Sequence, residues 1–267
     1  MSRIMSRCRP ARSLITGASS GIGAEFARVL AARGSDLVLV ARREDRLKAL
    51  AEELVSTHGV DCRTVPWDLS EPASGRRLRD VVPERIDLVV NNAGFAVQGP
   101  FTDGDADDFE RLVAVDIRAV VDICSAFLPD MIARRDGTIV NVASTTAFQP
   151  VPTLAVYAAA KAFVLSFSQS LWYESAQHGV RVFALNPGPT HTEFFDVIGD
   201  SATATGTYQT SAQVVATAMR ALDTRRSRPH VISGRRNAVQ AAMAGIVPTR
   251  VLLPVLARIL HQPPSIS

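Results

Sequence analysis

The middle of the chain carries three residues whose types and spacing suit proton transfer to or from an oxygen atom. Tyr157 and Lys161 are four positions apart, and Ser144 lies thirteen positions before the tyrosine. Residues four apart lie on the same face of a helix, so the phenol and the ammonium can reach one partner together. A free phenol titrates at about pH 10, and a cation within about 4–6 Å lowers that pKa. We therefore expect Lys161 to lower the pKa of Tyr157.

The choice of lysine at this position is itself informative. The chain contains 27 arginines but only two lysines, Lys48 and Lys161. Arginine is a planar, permanently charged fork, whereas lysine is a compact point charge with three donors on a flexible stem. A lysine kept beside Tyr157 in an arginine-rich chain indicates a role that a guanidinium would not fill.

A glycine-rich segment near the N-terminus is typical of a phosphate-binding turn. It reads Thr16-Gly-Ala-Ser-Ser-Gly-Ile-Gly23 and directly follows a short apolar run. A strand, a turn of this kind and a helix place backbone N–H groups and a helix N-terminus against phosphate. Gly17, Gly21 and Gly23 would allow the tight turn, the close approach of the backbone and close packing of helix on strand. We expect a dinucleotide to bind here.

Taken together, the glycine-rich turn and the Ser…Tyr-x-x-x-Lys set resemble the short-chain dehydrogenase/reductase family over residues 12–195. The TGxxxGxG and YxxxK motifs are similar to those of its NADP-preferring branch. The resemblance implies an α/β fold, a single doubly wound parallel sheet of the Rossmann type with helices on both faces. It also implies an NADP-dependent oxidoreductase, a carbonyl reductase that is reversible to alcohol oxidation by hydride transfer. Tyr157 would be the acid/base, Ser144 would bind the substrate oxygen and Lys161 would complete the catalytic set.

The residues after the second predicted strand indicate which dinucleotide binds. A carboxylate there would accept from the adenosine ribose hydroxyls, whereas arginine suits a 2′-phosphate. Arg42 and Arg43 stand here, and the first carboxylate after the strand is Glu44. Charge-assisted pairing of arginine with phosphate therefore favours NADP(H). In the family, the first serine of the turn lies near the same phosphate. The cofactor-binding residues implied by the resemblance are Gly17, Ser19, Ser20, Gly21, Ile22, Gly23, Arg42, Arg43, Asp68, Leu69, Asn92, Ala93, Gly94, Tyr157, Lys161, Pro187, Gly188, Thr190 and Thr192.

Apolar runs alternate with segments of helical period, which predicts βαβ units and a parallel sheet. The predicted strands are 13–16, 37–40, 61–65, 86–90, 138–143, 180–185 and an edge strand 230–233. The predicted helices are 21–33, 44–58, one beginning at Ser70, 105–134 and 153–178. We expect a flexible basic arm over residues 1–11, the catalytic domain over 12–235 and an apolar C-terminal extension over 236–267. Residues 200–210, rich in Ser, Thr, Gly and Ala, are the expected mobile loop.

One residue departs from the family pattern. In the long helix before the Ser144 strand, the family usually carries an asparagine that kinks the helix and anchors a water reaching the lysine. The corresponding residue here is Asp116. Its carboxylate would stabilise protonated Lys161 and oppose the phenolate of Tyr157 by like charge. We predict a functional site with a shifted pH profile.

Composition limits the surroundings in which the chain works. It has 267 residues, a net charge of +3 and three widely spaced cysteines, which suits a reduced, cytoplasmic protein rather than a disulfide scaffold. Neither a signal peptide nor a membrane-spanning run is predicted. Nucleic-acid binding and a metal site are not expected. By resemblance, the two long helices would pair between subunits in a homodimer or homotetramer.

An apolar pocket is expected for the substrate, which favours a small hydrophobic ketone or aldehyde. Half of the candidate pocket walls are expected to be simply core residues, above all Val151 and Leu154. The C-terminal extension could cap the pocket, form a subunit contact or rest on a membrane surface, and membrane contact is the least favoured because a short apolar tail broken by proline is more often packed than lipid-bound. Two other functions stay open, a non-catalytic NADP-binding regulator or scaffold on the same fold and a membrane-associated lipid-precursor enzyme. The candidate pocket walls are Val97, Phe148, Pro150, Val151, Leu154, Phe194 and Phe195.

Overall fold

The computed structural model describes residues 8–193, 208–224, 227–244 and 247–260, and within them seven strands form one sheet. The strands are β1 (Arg12–Thr16), β2 (Asp36–Ala41), β3 (Cys62–Pro66), β4 (Leu88–Asn91), β5 (Thr138–Val142), β6 (Arg181–Asn186) and, at the edge, β9 (His230–Ile232). Every neighbouring pair in this sheet is parallel, and the strand order is β3-β2-β1-β4-β5-β6-β9. The predicted parallel, doubly wound α/β sheet is therefore confirmed. A separate parallel pair joins β7 (Thr190–His191) to β8 (Gln209–Thr210).

Helices cover both faces of the sheet. They are α1 (Gly21–Ala31), α2 (Glu44–His58), α3 (Ser74–Val81), α4 (Ala106–Val113), α5 (Ala119–Arg134), α6 (Ala155–Ala176), α7 (Ser211–Asp223), α8 (Arg235–Ala244) and α9 (Thr249–Leu260). A wider, π-helical turn over Ala114–Arg118 joins α4 to α5, so the predicted helix 105–134 is one continuous helical segment with a local bulge. Such bulges occur frequently at functional sites.

Two apolar cores hold the helices to the sheet. On one face, Phe26 and Leu30 of α1 pack with Leu47 of α2 and Val214 of α7. On the other face, Leu78 of α3, Ile123 and Phe127 of α5 and Val164 of α6 pack together. Strands buried on both faces read as continuous apolar runs, because helices lie above and below them. These cores fix the carboxyl ends of the strands, where the candidate site lies.

One helix start was wrong. The helix expected at Ser70 begins at Ser74, after Ala73 in a left-handed conformation with φ +53°. The Asp68 carboxylate accepts hydrogen bonds from the Ser70 backbone N–H at 2.9 Å and from its hydroxyl at 2.7 Å. The polar residues that resemble a helix cap therefore form a turn of their own, as Asp followed by Ser often does.

The described end of the predicted N-terminal arm is hydrogen-bonded to α1 and α7 or the residues beside them. The Cys8 backbone N–H donates to Asp223 at 2.8 Å, and Arg33 joins both by donating to the Cys8 carbonyl and to the Asp223 carboxylate.

Residues 1–7 of the predicted arm lie outside the described residues, as does most of the predicted mobile loop 200–210. The last two residues of that loop form β8. In the part of the chain that the structure describes, no helix combines the length and the apolar character needed to span a bilayer.

Candidate active site

A cleft of about 350 Å³ opens at the carboxyl ends of β1, β4, β5 and β6. Ligands of open parallel sheets bind at this edge, where the strand order reverses between β1 and β4. Of the predicted catalytic and cofactor residues, all except Gly23 line this cleft. They are Gly17, Ser19, Ser20, Gly21, Ile22, Arg42, Arg43, Asp68, Leu69, Asn92, Ala93, Gly94, Ser144, Tyr157, Lys161, Pro187, Gly188, Thr190 and Thr192.

The glycine-rich turn is held by the end of β4. Gly17 has φ +64°, and a Cβ there would lie 2.7 Å from the amide nitrogen of Asn92. That amide donates to the carbonyls of Thr16 and Gly17, while the Thr16 hydroxyl accepts from the backbone N–H groups of Asn92 and Ala93. Gly23 lies behind the turn, where a Cβ would come 2.3 Å from the Gly17 carbonyl oxygen. It therefore shapes the turn by close packing rather than by lining the cleft.

Arginines and hydroxyls gather at the end of the cleft beside this turn. The Arg43 guanidinium donates to the Ser19 hydroxyl at 3.0 and 3.2 Å and to the Ser20 hydroxyl at 2.8 Å. Its remaining arm forms a 2.8 Å ion pair with Glu193, which also binds Arg46. Hydrogen bonds from the two arginines hold the pKa of Glu193 below its usual value. Two hydroxyls and a guanidinium fork form a donor set that suits a phosphate group.

The rim of the cleft beside Asp68 carries a second arginine. Burial opposes the ionised form of Asp68, but hydrogen bonds from Ser70 and the charge of Arg42 hold its pKa below the usual value. Arg42 is exposed at the rim, and Leu69 is buried beside Asp68. A negatively charged group entering this end of the cleft would meet both arginines of the Arg42-Arg43 pair.

Ser144, Tyr157 and Lys161 meet at the opposite end of the cleft. Ser144 follows β5 and accepts from the backbone N–H of Thr146 at 3.1 Å, which orients its hydroxyl. The same hydroxyl is hydrogen-bonded to Tyr157. Tyr157 lies in the first turn of α6, and the Lys161 ammonium is 5.5 Å from the centre of its ring. The predicted juxtaposition of phenol and ammonium is present in the structure.

Asp116 contacts the Lys161 ammonium directly. Its Oδ1 lies 2.8 Å from the Lys161 Nζ, and its Oδ2 accepts from the Phe95 backbone N–H at 3.0 Å. The π-helical turn carries Asp116 toward the lysine, and Gly94 leaves room for the contact. A Cβ at Gly94 would lie 2.6 Å from Asp116 Oδ1 and 3.1 Å from Lys161 Nζ.

Burial and charge act on the three ionisable groups in different directions. Burial is the largest influence on Tyr157 and raises its pKa, Asp116 raises it further, and Lys161 and Ser144 oppose the rise. Burial opposes the charge on Lys161, yet Asp116 and Tyr157 keep its pKa above the usual value. Burial raises the pKa of Asp116 against the attraction of Lys161. Lys161 lowers the pKa of Tyr157 as expected, but in the protein alone burial and Asp116 outweigh it, so the pKa of the phenol lies above its usual value.

The substrate side of the cleft differs from the sequence prediction. Val151 and Leu154 line it, whereas Val97, Phe148 and Pro150 do not, and Phe194 and Phe195 lie outside the described residues. Sequence reasoning missed several lining residues that come from separate loops and from α8. They carry no motif, and only the tertiary fold brings them together. The main ones are Trp67, Phe95, Gln98, Val115, Gln149, Gln240 and Ala241.

Several known proteins are similar to this chain in sequence or in fold. The short chain dehydrogenase family matches residues 12–202. An uncharacterized oxidoreductase of Staphylococcus epidermidis is 34% identical over 191 residues, which cover 70% of this chain and 81% of the relative. The structure of a short-chain dehydrogenase from Sphingobium yanoikuyae in complex with NADPH superimposes with a TM-score of 0.79 at 36% identity, covering 88% of this chain and 94% of that one.

A further solved structure is a bulky-bulky ketone specific alcohol dehydrogenase from Comamonas testosteroni. Its TM-score is 0.76 at 29% identity, and the match covers 90% of this chain and 94% of that one. The family match spans more than half of the chain and includes both the glycine-rich turn and the Ser144, Tyr157 and Lys161 set. The chain therefore belongs to the short-chain dehydrogenase/reductase family of oxidoreductases.

Proposed function

We propose that this protein uses NADP(H) to reduce a hydrophobic ketone or aldehyde, and to oxidise the corresponding alcohol in reverse. The observation that carries the proposal is the placement of Ser144, Tyr157 and Lys161 in the same cleft as the glycine-rich turn. The NADPH complex of the Sphingobium relative and the ketone-specific Comamonas relative support the same assignment.

The residues present fit the cofactor. Gly17 and Gly21 adopt the left-handed backbone that the turn needs, with φ +64° and +56°, and the turn and the N-terminus of α1 line the cleft. Arg43, Ser19 and Ser20 would hold the 2′-phosphate, while the Thr190 to Thr192 segment and Lys161 would hold the nicotinamide end. When bound, the nicotinamide supplies or accepts the hydride.

The proton step falls to Tyr157. Ser144 and Tyr157 share a hydrogen bond, so a carbonyl oxygen placed between them would accept from both hydroxyls and be polarised. Tyr157 then donates its proton to the oxygen as negative charge develops there, and Lys161 stabilises the phenolate that remains. In alcohol oxidation the same phenolate takes the proton back. The positive charge of the oxidised nicotinamide would add to that of Lys161.

The lining of the substrate side supports a mainly apolar, uncharged substrate. Phe95, Val151, Leu154 and Ala241 contribute apolar surface, and the polar side chains near them are neutral. The side-chain carbonyl of Gln98 is buried and has no hydrogen-bond partner among the described residues. A ketone or aldehyde with one hydroxyl or amide donor would suit this wall.

Exposed apolar residues support the predicted self-association. Phe163 and Tyr173 on α6 and Val113 on α4 are exposed in the single chain. They lie on the two helical segments that the family resemblance places between subunits, so we propose a homodimer or homotetramer.

The test is oxidation of NADPH in the presence of a panel of uncharged ketones and aldehydes. The wild-type protein should consume NADPH with at least one apolar carbonyl, and Tyr157→Phe should be slower by about 10²–10⁴-fold. Tyr173→Phe is the matched control, because Tyr173 is exposed on the same helix, and it should match wild type. NADPH binding without turnover of any carbonyl would favour the regulatory alternative.

A further inference from the structure

The C-terminal part of the chain has an extreme charge distribution. From Thr224 to Ser267 it contains seven arginines and neither Asp nor Glu. The rest of the chain carries a net charge of −4, because the whole chain has a net charge of only +3. This segment therefore presents a one-sided positive field, although the chain as a whole is only weakly basic.

The outward faces of α8 and α9 reverse the usual pattern of a surface helix. On α8, Val239 and Met243 are 61% and 59% exposed, one and two turns after exposed Arg235 and Arg236. On α9, Val251 and Val255 are 53% and 49% exposed. Arg250 and Arg258 lie at the two ends of that stripe and are also exposed. A helix that faces only water carries polar residues on its outer face, whereas apolar stripes flanked by arginine are typical of helices that lie in a membrane interface.

A groove between these helices adjoins the active cleft. It has a volume of about 540 Å³, and its walls include Val239, Met243, Leu252 and Leu256. Gln149 and Gln240 line both this groove and the cleft that contains Tyr157. The groove mouth and the exposed apolar stripe of α8 share Val239 and Met243.

Charge decides between the two surfaces that could cover this face. A symmetric contact with a second copy would place each arginine-rich face against its equal, and like charges brought together are unfavourable. An anionic lipid surface has the opposite charge and accepts valine and methionine side chains into its acyl boundary.

We propose that the α8–α9 face, defined as the exposed residues of Arg235–Ala244 and Thr249–Arg258, docks on the surface of an anionic bilayer. The helices lie in the interface without crossing it. Docking would place the groove against the lipid, so that an apolar carbonyl compound could pass from the bilayer into the active cleft. The docking stands on the α8–α9 face alone, whereas this route for the substrate rests on the function proposed above.

Sedimentation with sucrose-loaded vesicles tests the docking. The full-length protein should bind vesicles of phosphatidylcholine mixed with phosphatidylglycerol, and it should bind vesicles of phosphatidylcholine alone far more weakly. A Val239→Ser, Met243→Gln, Val251→Gln, Val255→Gln variant should lose at least about tenfold in partition coefficient. All four side chains are exposed, so the fold should survive. The matched control changes exposed valines on other helices, Val55→Gln on α2 and Val81→Gln on α3, and should bind like wild type.

Two charge variants separate local from total charge. Arg250→Gln with Arg258→Gln should weaken binding about 30-fold, because each basic residue near an anionic surface contributes about 1 kcal/mol. Arg9→Gln with Arg76→Gln removes the same charge from exposed positions elsewhere and should have little effect. Raising the salt to about 1 M should also release the protein, since the Debye length falls to about 3 Å.

Failure to bind anionic vesicles would overturn the docking, and so would equal binding by the four-residue variant. A four-residue variant that changes the oligomeric state instead would identify a second copy as the occupant. Turnover of water-soluble ketones is measured in parallel for every variant. Normal turnover without vesicle binding would remove this inference and leave the proposed function intact, whereas vesicle binding without turnover of any carbonyl would do the reverse.

Discussion

The two ends of the active cleft contain ion pairs of equal length in opposite environments. The Arg43–Glu193 pair and the Lys161–Asp116 pair both measure 2.8 Å. The first has side chains that are 42% and 44% exposed, whereas those of the second are 6% and 0% exposed. Water screens an exposed pair and makes it weak and exchangeable, but a buried pair keeps its field and is costly to break.

This difference assigns different work to the two ends. At the end of the cleft that is proposed to hold the 2′-phosphate, an incoming anion can replace Glu193 on Arg43 at low cost in free energy. At the catalytic end, the charges of Lys161 and Asp116 act on Tyr157 through a medium with little water, so a single charge there changes how readily the phenol ionises. Changes at the catalytic end should therefore have large effects on turnover, and changes at the phosphate end should have moderate effects on cofactor affinity.

The largest effect is expected from Lys161→Arg, a change toward the basic residue that this chain otherwise prefers. The guanidinium is larger than the ammonium, and Lys161 is buried beside Asp116 and Gly94. We expect kcat to fall by at least about 100-fold. Lys48→Arg is the control, since Lys48 is exposed in a surface pair with Glu44, and it should keep wild-type turnover. Equal turnover of both variants would show that the lysine is not required as a point charge.

The next effect is a loss of NADPH affinity in Arg43→Gln. A charged hydrogen bond to phosphate is replaced by a neutral one in a partly exposed site, so the Kd for NADPH should rise about tenfold. The Kd for NADH, which has no 2′-phosphate, should change little. Arg28→Gln removes a comparable exposed pair, with Glu53, on the far side of α1 and should leave both values unchanged. Parallel losses for NADPH and NADH would contradict the assignment of Arg43 to the phosphate.

The smallest effect is expected from Glu193→Gln, which removes the carboxylate that competes for Arg43. NADPH should bind about two- to fivefold more tightly, because an exposed pair is worth little, and the gain should shrink as salt increases. Glu53→Gln, at the Arg28 pair, provides the control for a carboxylate removed elsewhere. Weaker binding of NADPH would mean that Glu193 helps to hold the cofactor in place.

The sequence predicted the frame of the molecule better than the details of its site. Parallel strands buried on both faces are continuous apolar runs, so β2, β4 and β5 could be recognised in the order of the chain. The glycine-rich turn and the Tyr157 and Lys161 spacing identified both ends of the cleft. Local signals failed where two structures share the same residues, as at Ser70, whose polar neighbours form a turn with Asp68 rather than a helix cap.

Contacts between distant parts of the chain explain the rest of what was missed. The direct Asp116–Lys161 pair depends on the π-helical turn and on the space above Gly94, and neither has a clear pattern in one sequence. Gln149 and Gln240 line the same cleft although 91 positions separate them in the chain. The sign of the Tyr157 pKa change could not be inferred from spacing, because it depends on the burial of the phenol as well as on the neighbouring charges.

The most direct measurement of the central claim is the pH dependence of alcohol oxidation in wild type and Asp116→Asn. In the proposed mechanism, alcohol oxidation needs the phenolate form of Tyr157. The rate of oxidation should therefore rise as the pH passes through the pKa of that phenol. Removing the Asp116 charge removes one cause of the raised pKa of Tyr157 and one cause of the raised pKa of Lys161.

The rising limb should therefore move to lower pH by about one pH unit, and the fall in rate as Lys161 loses its proton should also begin at lower pH. Thermal unfolding of the same two proteins checks that the asparagine variant is folded over the range measured. An unchanged profile, or one that moves to higher pH, would contradict the account in which buried charge at Lys161 and Asp116 sets the ionisation of Tyr157.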